Sequence, residues 1–120
     1  MNLILGMAFE LTKLDEEDGL PWDFNITAKR NKARAIVQRE RPLLLIGSPM
    51  CAAFSHLQRT NFAKLNKEQS DKIMQHGRKH LEFSMELYKE EQTHGLYFLH
   101  EHPATASSWN EKSVLEVLRL

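Results

Sequence analysis

Two short stretches carry side chains that can make and break covalent bonds. Gly47-Ser48-Pro49-Met50-Cys51-Ala52-Ala53-Phe54-Ser55 holds the single cysteine of the chain. His100-Glu101-His102-Pro103 sets a carboxylate between two imidazoles further along. A thiolate is a strong nucleophile that can later leave, and a carboxylic acid both donates and accepts a proton. If the fold brings them together, Cys51 and Glu101 would form a nucleophile and proton-donor pair. Taken alone, each has a plainer role. A free cysteine packs well as a small apolar residue, and a glutamate at a strand end is commonly solvated or paired.

Those residues need rigid elements to hold them. Leu43-Leu44-Leu45-Ile46 is an unbroken apolar run between Pro42 and Gly47-Ser48-Pro49. It has the pattern of a central parallel strand buried on both faces. Leu96-Tyr97-Phe98-Leu99-His100 reads the same way, and Met7-Ala8-Phe9-Glu10-Leu11 is a weaker strand. Asp15-Glu16-Glu17-Asp18-Gly19-Leu20-Pro21 is an acidic turn. Asn25 or Thr27 can cap a helix to about Glu40, with Ala33, Ile36 and Val37 on its inner side and Pro42 as its stop. Asn66 with Gln69 forms a capping box for a long helix to about Thr93. Its inner stripe is Ile73, Gly77, Leu81, Met85 and Tyr88, and Gly95 is a left-handed stop. His76 and His80 fall on its water side. Ser108-Trp109-Asn110-Glu111 matches a second capping box, before a last helix buried through Val114, Leu115 and Leu118.

The order strand, helix, strand, helix, strand, helix predicts an α/β fold, because parallel strands need crossovers and helices supply them. We expect a partial Rossmann-like parallel sheet of about three strands with crossover helices, in one domain over residues 1–120. So thin a sheet leaves apolar edges. That implies a part of a larger unit, completed by the remainder of a longer polypeptide or by a second copy pairing through the sheet edges. In open parallel sheets, ligands bind beyond the carboxyl ends of the strands. Cys51 and Glu101 both fall there.

With these residues in view, Gly47-Ser48-Pro49-Met50-Cys51-Ala52-Ala53-Phe54-Ser55 resembles the nucleophile loop of DNA cytosine-5 methyltransferases, written G-x-P-P-C-x-x-F-S. His100-Glu101-His102-Pro103 is similar to the Glu-Asn-Val or Glu-Asn-Pro motif that follows a later strand in that family. Phe9-Glu10-Leu11 with Pro21-Trp22-Asp23-Phe24 resembles the acidic strand end that helps hold S-adenosylmethionine. The passage from Ala8 to Trp109 also resembles methyltransferase-like segments of eukaryotic retroelement polyproteins. Met50 replaces the second proline, and His102 stands where the family has asparagine.

The resemblance implies a class I, S-adenosylmethionine-dependent fold. In it Cys51 would add to C6 of a flipped-out cytosine, and Glu101 would hold and protonate ring N3. C5 would then take the methyl group. Glu10, Asp23, Ser48 and Pro49 would contact the cofactor. The family's Gly-rich cofactor turn belongs ahead of Ala8, so this chain corresponds to the middle and later part of a catalytic domain. We expect it not to hold S-adenosylmethionine alone.

Composition narrows the alternatives. Sixteen Lys+Arg balance sixteen Asp+Glu, which argues against a nucleic-acid binder driven by bulk charge. A local basic face remains, since Lys29, Arg30, Lys32, Arg34, Arg39 and Arg41 crowd the first helix. A solvated helix face is the plainer reading. One cysteine excludes an internal disulfide framework and fits an intracellular setting. No apolar run approaches membrane-spanning length, and the first residues do not read as a secretory signal. His100 and His102, two apart, offer a pair of zinc ligands, but histidines in hydrogen bonds are the stronger reading. Phe54, Phe62, Phe83 and Tyr88 are read as core rather than base-stacking platforms.

Overall fold

A computed structural model describes residues 14–49, 52–54 and 66–119. The chain first turns back on itself through the acidic stretch. Asp15 N–H donates to Leu20 O and Gly19 N–H to Asp15 O, both at 2.8 Å, and Leu14 bridges Pro21. Gly19 makes the reversal at a φ of +70°, where a side chain is disfavoured. Helix α1 follows, Thr27–Glu40. Neither expected cap is used: the N-cap is Ile26, without a side-chain bond. Asp23 takes over at the entrance, where its Oδ1 accepts from Asn25 N–H at 3.0 Å. Arg41, at φ +44°, ends the helix before Pro42.

Strand β1 is Leu44–Gly47, and a 3-10 turn at Ala52–Phe54 follows beyond its end. Helix α2, Lys67–Thr93, opens with the expected capping box: Asn66 Oδ1 accepts from Gln69 N–H at 2.8 Å. Gly95, at φ +69°, turns the chain into β2, Tyr97–His100. A 3-10 turn at Ser107–Asn110 leads to α3, Lys112–Leu118. The second capping box does not form. Glu111 is the N-cap of α3 and makes no side-chain bond there, because Ser108 is buried and bonded elsewhere.

β1 and β2 pair in parallel, with Leu44 opposite Tyr97 and Gly47 opposite His100. The predicted α/β organisation is present as a two-stranded parallel sheet with helical crossover. The third expected strand, with Glu10, lies outside the described residues.

One expectation about the strands is overturned. Neither is buried on both faces. Leu45 and Phe98 turn inward, whereas Leu44, Ile46, Tyr97 and Leu99 are exposed, Tyr97 by 65%. The described helices pack on the inner face, and none of them covers the outer one. Leu45 is shared by two apolar clusters. One joins Phe54, Leu81, Met85, Tyr88, Val114 and Val117. The other joins Trp22, Ala33, Val37, Phe83 and Leu87. Ile73, Gly77, Leu81, Met85 and Tyr88 do form the inner stripe of α2, and Phe54, Phe83 and Tyr88 are core as expected. Phe62 lies outside the described residues.

Three further readings change. His80 is buried, not water-facing, because Phe83 and Leu87 give α2 a second inner line against α1. Val114 and Val117 bury α3, while Leu115 and Leu118 remain exposed. The basic face of α1 is largely spent on ion pairs. Lys29 bonds Asp15 at 2.9 Å and Asp18 at 2.6 Å, and Lys32 bonds Asp15 at 2.6 Å and also pairs with Glu17. Arg34 pairs with Glu86 and Arg41 with Glu90 on α2. The acidic turn is the counter-charge of the helix. Trp22 lies beneath both lysines, with Lys29 Nζ 5.2 Å from its ring centre.

Candidate active site

The parallel pairing delivers the two chemical stretches to one rim. Gly47 and His100 are the last paired residues of their strands, and Glu101 N–H donates to Gly47 O at 2.9 Å. Ser48 and Glu101 therefore leave adjacent strand tips side by side, both exposed. Cys51 lies outside the described residues, as does Glu10. The carboxylate of Glu101 makes no hydrogen bond or ion pair to a described side chain.

Beneath this rim sits a polar cluster of aromatic and imidazole rings. β2 alternation turns His100 inward, toward Tyr88 of α2. The Tyr88 hydroxyl lies 2.7 Å from His100 Nδ1. Burial, then the charge His102 can carry, push the His100 pKa down to about 4, so its ring is neutral at neutral pH. Burial pushes the Tyr88 phenol up, beyond the range in which it could lose its proton. With a protonated phenol and a neutral ring, the tautomer sets which of the two atoms donates, and the other ring nitrogen is Nε2. That atom is buried and has no partner among the described residues. The ring of Tyr88 stacks on Phe98, with centres 4.5 Å apart.

The hydroxyl reaches this position because residue 47 has no side chain. A Cβ there would sit 1.8 Å from Tyr88 Oη. Gly77 has the same role deeper in α2, where a Cβ would meet that of Ala53 at 2.7 Å. It lets the 3-10 turn at Ala52–Phe54, with buried Phe54, lie against the helix.

His102 is buried beside His100, with ring centres 4.8 Å apart. Its Nε2 lies 2.8 Å from Pro49 O and its Nδ1 lies 2.6 Å from Ser108 Oγ. A carbonyl oxygen only accepts, so Nε2 carries a proton. In the neutral ring, Nδ1 then accepts from the serine hydroxyl. Ser107 Oγ donates to Phe54 O at 3.3 Å, and Trp109 Nε1 donates to Pro103 O at 2.8 Å. Trp109 also meets His100 edge to face, 5.4 Å between centres.

His100 and His102, the pair of the zinc alternative, both take part in hydrogen bonds. Both nitrogens of His102 and Nδ1 of His100 are engaged, and no cluster of three metal-ligating side chains occurs among the described residues. The cofactor candidates are also partly occupied. Asp23 Oδ1 serves the turn before α1, and the Pro49 carbonyl serves His102. Two concave surfaces lie along the first turns of α2, lined by residues such as Gln69, Lys72 and His76. Asp23, Ser48, Pro49 and Glu101 line neither.

Sequence reasoning placed His100 and His102 on one side of the chain and Tyr88 in the core stripe. It missed the links among them, and it missed Ser108. A polar tip on an apolar stripe, eight places before a β-run ending in histidine, was the available signal for Tyr88. No helix of the described residues is long and apolar enough to cross a membrane. No protein-family model, curated protein or solved structure matches this chain.

Proposed function

We propose that the chain is a fragment or remnant of a cytosine-5-type, S-adenosylmethionine-dependent nucleic-acid methyltransferase, inactive by itself. The observation that carries the reading is the parallel pairing of β1 with β2. It sends the loop leading to Cys51 and the segment bearing Glu101 out of one rim, as a partial Rossmann-like sheet requires. In this reading the Cys51 thiolate forms a bond to C6 of cytosine, and the ring takes a proton at N3 from Glu101. Reversal returns that proton to Glu101 as the sulfur leaves. S-adenosylmethionine, when bound, would supply the methyl group that C5 takes.

The test is covalent capture. An oligonucleotide containing 5-fluorocytosine should be captured by the intact chain supplied with S-adenosylmethionine only if the Gly-rich cofactor turn is also provided, and Cys51→Ser should abolish capture. Equal capture by Cys51→Ser would remove the nucleophile assignment. Calorimetry with S-adenosylmethionine should give no heat for the chain alone.

One observation favours a second reading, a non-catalytic structural or interaction segment of a retroelement polyprotein. The outer sheet face of Leu44, Ile46, Tyr97 and Leu99 is bare. Such a face suits a piece that packs against the rest of a longer polypeptide or against a second copy. If that reading holds, capture fails under all conditions while mutation of the face abolishes assembly.

A further inference from the structure

We infer that His102 is a positioning residue of the proposed site: its ring fastens the segment ahead of Cys51 to the segment carrying Glu101. The inference rests on the methyltransferase reading for its purpose, and on the hydrogen bonds alone for its geometry.

Two loops that leave neighbouring strand tips diverge unless something joins them beyond the last ladder bond. Here that bond is Glu101 N–H to Gly47 O. One step further out, His102 Nε2 donates to Pro49 O at 2.8 Å. Pro49 is two residues before Cys51, and His102 directly follows Glu101. The far side of the ring is fixed by Ser108 Oγ at 2.6 Å, in the 3-10 turn before α3. Ser108 has 1% of its surface exposed, so its hydroxyl does not exchange this partner for solvent without opening the turn. His102 is itself buried, so an unmade bond at Pro49 O would not be readily replaced by water.

The donor at Nε2 sits at a particular distance from the backbone. A glutamine amide nitrogen reaches about as far, whereas an asparagine amide stops at the position of Nδ1. This gives a rescue test that a general packing role would not pass. Hydrogen exchange of the amides in the Ser48–Phe54 segment should quicken about tenfold or more in His102→Leu and in His102→Asn, and return toward the parent rate in His102→Gln. In the parent protein, nitrogen-15 spectra of the imidazole should report the proton on Nε2 and an accepting Nδ1. Unchanged loop exchange in His102→Leu and His102→Asn, or an Nδ1-protonated neutral ring, would overturn the assignment. So would quickening spread evenly over α2 and α3, or a glutamine variant no better than asparagine. If His102→Leu does not fold, the contrast between glutamine and asparagine decides.

Capture by the 5-fluorocytosine oligonucleotide separates this inference from the reading beneath it. A loop loosened by these variants in a protein that never captures the base leaves the fastening intact and removes the methyltransferase. Capture that survives with the loop exchange unchanged does the reverse.

Discussion

Gly47 and Tyr88 share a space that holds either a methyl group or a phenol, but not both. A Cβ on Gly47 would lie 1.8 Å from Tyr88 Oη and 2.7 Å from Cζ. The bare backbone at the tip of β1 is what allows the hydroxyl to reach His100. Gly47→Ala should therefore destabilise the protein by about 1–3 kcal/mol in denaturant unfolding. Adding Tyr88→Phe should recover only part of that, since the ring carbon still collides. An alanine variant as stable as the parent would show that the contact is not made.

Asp15 and its lysines predict behaviour in acid. The hydrogen bond from Lys32 holds the Asp15 carboxyl well below the usual aspartate range, opposed by burial and reinforced by Lys29. Hydrogen bonding from Lys29 lowers Asp18 as well. A depressed folded pKa means that the unfolded chain binds the proton first. The stabilisation is present above the ordinary aspartate value and is lost as the pH falls toward the folded one. Unfolding measured by circular dichroism should show stability dropping below about pH 4. Asp15→Asn should be less stable at neutral pH and should flatten that drop. A variant retaining the full acid slope would assign it to other carboxylates.

Glu91 predicts the opposite slope. It has no exposed surface, and neither carboxylate oxygen has a partner among the described residues. Burial pushes its pKa up, against the pull of Arg41 and His94. A raised folded pKa means that the folded chain holds the proton more tightly than the unfolded one. Its contribution is complete in acid and declines as the pH rises from the ordinary glutamate value through the folded one. Glu91→Gln should remove this decline and raise the Tm at neutral pH by a few degrees. A parent profile that does not change on substitution would mean the carboxylate finds a partner in solution.

The bare sheet face can be tested without touching the core. Ile46→Lys and Leu99→Lys should leave the unfolding free energy of the chain within about 0.5 kcal/mol of the parent, because these side chains already face out. The same changes should lower apolar-dye binding and any self-association seen by light scattering. A large loss of stability would mean the face is covered in the folded chain.

Much of the scaffold was legible in local pattern. Asn66 and Gln69 announced the start of α2, and Gly95 its end, because capping geometry depends on residues three or four apart. Continuous apolar runs marked β1 and β2 for the same reason. Ser108 shows the limit. Its sequence context is that of a cap, but the hydroxyl goes to His102, since a buried imidazole nitrogen offers a partner that local spacing cannot reveal.

The amino-acid order by itself determined the helices and strands among the described residues and the stripe of α2. Tertiary structure alone decided which faces are covered. It set the acidic turn against the lysines of α1, left one side of the sheet bare and linked Pro49 through His102 to Ser108. Periodicity reports how a residue relates to its own helix or strand. Counter-charges, close approaches and shared hydrogen bonds depend on what another segment brings to the same place.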